Sequence, residues 1–159
     1  MEWHTRIEGL FTILIVLQFF VVVLHDWIDI PGWTHGSQVQ AVVGRRKLLA
    51  ATAINALFPG TAAVFAVWFW NAAKPWYVTD YWVIYCVVTL ISAVAMWYVP
   101  YLLGGSETQR DEYTRMYAKT RHVLPPRGDN PRPNLLHVCF HVLFVANLAL
   151  VLMLRFGDS

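Results

Sequence analysis

The chain has 159 residues, 57% of them hydrophobic, with a mean hydropathy of +0.46. That is too apolar for a soluble domain of this length, and four spans of about 20 residues each would leave little for a separate soluble unit. A net charge of only +2 gives no compositional support for a nucleic-acid partner.

The leader Met1-Glu-Trp-His-Thr-Arg6 mixes charges, and no small-residue cleavage site follows the first apolar run. That run is therefore expected to stay as a helix and not to be removed as a signal peptide. The first span is predicted over about 7–30, ending at Pro31-Gly32. The second is predicted over about 48–70 with a kink at Pro59-Gly60, since proline removes a helix hydrogen bond that membrane helices can forgo. The third covers about 81–103 and stops at Gly104-Gly105. Ser106-Glu-Thr-Gln109 then has capping-box spacing, and Tyr113, Met116 and Tyr117 recur at i, i+3, i+4. This predicts a short amphipathic helix to about His122, lying along the membrane surface. Four prolines fix the path of Leu124 to Asn134, where Arg127 and Arg132 supply donors suited to an anionic group or to lipid headgroups. The fourth span starts after Asn134, a predicted N-cap, and runs over about 135–155. The expected fold is all-α: one domain, 1–159, a four-helix transmembrane bundle plus the surface helix in the third loop.

With four spans, Arg6, Lys74 and Arg155 lie on one side of the membrane. Arg45, Arg46, Lys47, Arg110, Arg115, Lys119, Arg121, Arg127 and Arg132 lie on the other. The positive-inside rule makes the second side cytoplasmic, so both termini of this multi-pass cell-membrane protein are expected outside. Trp68, Trp70, Trp76 and Trp82 are expected in an outer aromatic belt, and Trp27, Trp33 and Trp97 near the inner face. Cys86 and Cys139 fall inside spans near opposite faces, too far apart to be bonded, and read as small apolar fillers.

Ionisable groups in hydrocarbon are costly and usually face a bundle interior. At 100° per residue, Glu8, Thr12, Gln18, His25, Asp26 and Asp29 occupy an arc of about 140° on the first span. His137, His141 and Asn147 share a face of the fourth, and Tyr85, Thr89, Ser92 and Met96 form a stripe on the third. His25 and His141 come out at similar depth in the inner half, with Asn55 and Thr52 from the second span. Of the six histidines, only His4 belongs to the outer side.

This gathering points to a site made of His25, Asp26, Asp29, Asn55, His137 and His141, with Arg127 and Arg132 at its mouth. His25, His137 and His141 could ligate a metal ion; His25 and one histidine of the fourth span could hold a haem. Without a cofactor, His25, Asp26 or Asp29 could act as general acid or base beside a substrate held by Asn55, Arg127 and Arg132. His137-Val-Cys-Phe-His141 lacks the glutamate of a zinc-protease box, and the chain has neither a glycine-rich phosphate loop nor a Cys-x-x-Cys pair. The expected partners are the bilayer and an anionic lipid or small-molecule ligand. The competing readings are a non-catalytic subunit packed against other membrane proteins or further copies of itself, and a small transporter using Gln18, Ser92 and Asn147 as a polar path.

Overall fold

The structure is a computed structural model and describes residues 2–157. It is mostly helical. Four helices are long and apolar enough to cross a membrane: α1 (Glu2–Leu24), α3 (Arg45–Trp68), the continuous rod Trp76–Leu103, and α7 (Leu135–Phe156). The rod consists of α4 (Trp76–Ala93), a π-helical turn (Val94–Tyr98) and α5 (Val99–Leu103). The long helices close a ring in which α1 packs on α3 and α7, and α4 packs on α7 and, less extensively, on α3.

Why the ring closes is clearest at the end that carries the termini. Small residues of α3, Ala62 and Ala66, face Phe11 and Ile15 of α1 and Trp82 and Cys86 of α4, and Phe144 and Val151 of α7 complete this core. Trp82 is 1% exposed, stands edge-on to Phe11 at 4.9 Å and donates its indole N–H to the Ala62 carbonyl at 3.1 Å. It is therefore a core residue and not part of a belt, because its one polar atom finds a partner inside. Glu8 sits in the same end with Lys74 Nζ 2.7 Å from its carboxylate, which also accepts the Asn71 N–H at 2.9 Å. Arg155 pairs with Asp80 at 3.0 Å. Halfway along, the fully buried Asn147 donates to Gln18 Oε1 at 2.7 Å, tying α7 to α1.

The opposite end differs from the expected spans. Helix α1 stops at Leu24, not near Ile30, and the chain turns into a two-residue hairpin, β1 (Asp29–Ile30) and β2 (Thr34–His35), around Pro31-Gly32. A short helix, α2 (Gly36–Val43), follows, in a stretch between the expected first and second spans. Gly36 is obligatory at its start, since a Cβ there would lie 2.5 Å from the Trp27 carbonyl carbon. Helix α6 (Glu107–Tyr117) begins at Ser106, whose hydroxyl accepts the Gln109 N–H at 3.2 Å, and packs on α2 through Met116 and Val39. After α6, Arg121 donates its N–H to the Gly32 carbonyl at 2.8 Å and accepts that of Leu135 at 2.7 Å. One strand of backbone thus laces the turn after α1 to the start of α7.

Candidate functional site

Three imidazoles meet at this laced end. His25 directly follows α1 and donates Nδ1–H to the Val21 carbonyl at 2.9 Å, with the Val22 carbonyl at 3.1 Å. Carbonyls only accept, so the hydrogen is on Nδ1, and Nε2 is left for other partners, 3.4 Å from Asp26 Oδ1. Asn134 is the N-cap of α7: its Oδ1 accepts the His137 backbone N–H at 3.0 Å and also His137 Nδ1 at 2.7 Å. Because Oδ1 already receives an N–H, it must be the amide oxygen, and neutral His137 presents an unprotonated Nε2. One turn later His141 Nδ1 lies 3.1 Å from the Tyr98 hydroxyl. His137 is 5.6 Å from His25, nearly perpendicular, and 6.3 Å from His141, ring centre to ring centre.

The third span supplies two adjacent aromatics. Trp97 stacks over His137 at 3.9 Å, and Tyr98 lies beside His141 at 5.4 Å. Both belong to the π-helical turn, whose wider winding turns successive residues less far apart than an α-helix would. Pro100 has no N–H for the Met96 carbonyl, and the Tyr113 hydroxyl of α6 approaches that oxygen at 3.4 Å. Tyr117 closes the far side, 5.6 Å from the His137 ring. Burial first, and then the nearby Asp26 and Tyr113, push its phenol well above the usual tyrosine range, so it stays neutral.

The histidines form the floor of a groove of about 750 Å³ lined by all four long helices. Its walls include Ile54, Asn55, Leu57 and Phe58 of α3 and Ile84, Tyr85, Val88, Ser92 and Met96 of the third span and its π turn. Toward the termini α3 and α4 touch: Tyr81 donates its hydroxyl to the Phe58 carbonyl at 3.0 Å, and Phe65 packs on Tyr81. Toward the histidines both helices line the groove with exposed apolar side chains, Ile54, Leu57 and Phe58 on α3 and Ile84 and Val88 on α4.

His25, His137 and His141 thus share one cavity, and Asn55 lies on its rim, exposed. The other candidates lie elsewhere. Asp29 is held in the exposed hairpin by the Ser37 N–H at 3.0 Å, with His35 3.7 Å away; these contacts, the Ser37 bond foremost, keep its carboxyl below the usual range. Asp26 does not line the groove; it lies beside His25 and near Tyr117. Arg127 lies over the Tyr101 ring at 5.9 Å, and Arg132 donates to the Leu124 carbonyl at 3.4 Å. Neither lines the groove; Arg132 lines a separate polar cleft of about 620 Å³ between α6 and the proline-rich loop. The expected arginine mouth is therefore not formed, because the prolines carry that loop past α5. The expected three-histidine metal centre is not formed either: among the described residues no group of three or more His, Cys, Asp or Glu side chains is arranged to hold an ion.

Trp97, Tyr98 and Asn134 are the site residues that reading for charge and helical faces passed over. Asn134 was visible as a cap but not as the partner of His137; a polar residue three positions before a histidine, at a helix start, was the available signal. Comparison with protein-family models, with curated proteins and with solved structures finds no match for this chain.

Proposed function

We propose that this chain is a multi-pass membrane protein that binds a ligand through His25, His137 and His141 in the cytoplasmic half of a four-helix bundle. In this reading both termini lie outside the cell, and α6 rests on the inner membrane surface with the basic loops. The four long apolar helices support the membrane setting. The observation that carries the site is the pinning of the rings: Nδ1 of His25, His137 and His141 is each engaged by an oxygen of the chain, which for His25 and His137 also fixes the hydrogen on Nδ1. Rings pinned at one nitrogen offer the other in a fixed direction, which is how binding sites orient imidazoles. The pinning groups are a backbone carbonyl, a capping amide and a phenol, each supplied by an element that helix geometry already fixes.

Carbethoxylation of the histidines, mapped by mass spectrometry, tests this. In native membranes a resident ligand should shield His137 and His141, and delipidation in mild detergent should raise their modification rates several-fold while half-buried His35, outside the groove, stays constant. Equal rates in the two states would overturn the proposal. A Soret band in the same preparation would identify the resident molecule as haem.

A further inference from the structure

We infer that the groove takes a lipid-dissolved, uncharged molecule with a hydroxyl head, entering sideways between α3 and α4 with its apolar tail toward the bilayer. The inference rests on the histidine reading above and adds the class of the ligand and its route.

Charge is the first argument. Among the described residues no Lys, Arg, Asp or Glu lines the groove, so neither a phosphate nor a carboxylate would meet a permanent counter-charge there. A charged head is expensive to desolvate without a partner. Donor and acceptor balance is the second. His137 Nε2 is an acceptor, for the reason given above. Pro59 has no N–H to give the Asn55 carbonyl four residues earlier, and the Asn55 side chain stands exposed on the rim. An amide at that depth would face acyl chains without a partner. Tyr85 lines the groove, is 5% exposed, and its hydroxyl has no hydrogen-bond partner among the described residues. A head that both donates and accepts answers this set, as a hydroxyl does; an ester or ether oxygen only accepts.

Shape is the third argument. Ile54, Leu57 and Phe58 of α3 are 65%, 66% and 67% exposed, and Ile84 and Met96 across the gap are 62% and 57%. The lips of the opening are therefore mainly apolar and face outward, with Asn55 on the rim and the histidines at the base. The volume of about 750 Å³ is in the range that encloses a small lipid-like molecule.

The test uses the full chain in phosphatidylcholine nanodiscs and a farnesol analogue with a diazirine at its tail end. Irradiation should label the stretches around Ile54–Phe58 and Ile84–Met96, and excess farnesol should suppress the labelling. Farnesyl methyl ether, which keeps the oxygen but loses the donor, should compete about tenfold less well, the worth of one good buried hydrogen bond. Ile84→Trp, on an outward-facing lip, should remove the labelling, and Tyr85→Phe should weaken competition by farnesol more than by the ether. Equal competition by alcohol and ether would overturn hydroxyl recognition. Labelling spread evenly over all lipid-facing helix surfaces would overturn the groove as the route. If labelling fails while delipidation still unmasks His137 and His141, the ligand class is wrong and the histidine site stands. If both fail, both proposals fall.

Discussion

Asn134→Ala removes two bonds at once, and the geometry separates them. The side chain is 2% exposed and caps α7 through the His137 N–H at 3.0 Å while holding His137 Nδ1 at 2.7 Å. Loss of the cap costs about 1 kcal/mol. Leaving a buried imidazole N–H without its acceptor costs a further 1–3 kcal/mol, roughly the desolvation penalty of that group. The expected destabilisation is thus about 2–4 kcal/mol by the same two principles. Asn134→Ser keeps a good capping oxygen but is too short for the ring, so it should recover only the cap share. Reversible unfolding in mixed micelles measures the two differences. Nitrogen-15 imidazole spectra report whether His137 carries its hydrogen on Nδ1 in the parent chain and loses that preference in both variants. A parent spectrum with the hydrogen on Nε2, or an alanine variant within about 0.5 kcal/mol of the parent, an ordinary surface-substitution effect, would refute the reasoning.

Three further outcomes follow from other parts of the structure. Glu8→Ala should destabilise by about 3 kcal/mol because it strands the largely buried Lys74 ammonium, and adding Lys74→Ala should restore part of the loss; a double variant no better than Glu8→Ala alone would contradict this. Tyr117 has its folded-state phenol raised, so stability is fully present below about pH 10, the unfolded value, and falls as the pH climbs through and above it. Tyr117→Phe should flatten that alkaline decline in unfolding titrations, and an unchanged slope would count against a buried neutral phenol. For orientation, Ala73→Cys should react with an impermeant maleimide in intact cells and Asp129→Cys only after permeabilisation; the reverse pattern would invert the assignment.

The four long helices were legible because each depends on local composition, and so did the Ser106 and Asn134 caps, which need only a short polar residue at a helix start. Where α1 ends was not legible. A pattern of polar residues at helical spacing continues through His25, Asp26 and Asp29, yet the close approach at Gly36 and the pairing of Gly32 with the stretch after α6 draw the chain into a hairpin. Those contacts join distant segments, and periodicity carries no trace of them. Trp97 illustrates the same limit: interface chemistry accounts for a tryptophan at that depth, while its stacking on His137 depends on the winding of one π turn. Arg127 and Arg132 were grouped with the histidines on sign of charge, which says nothing about which side of α5 a proline-rich loop will take.

The lacing of the end opposite the termini has a consequence for biogenesis. The site joins the first long helix to the last, and the buried Gln18–Asn147 bond spans 129 residues of chain. Contacts of such separation form late, after the entropy of closing the whole chain has been met. In the proposed membrane setting α1 would wait during synthesis with His25 and Gln18 lacking their final neighbours until α7 has been released beside it. A chain stalled before Asn134 would leave those polar groups without partners, whereas one completed through Val151 hides them.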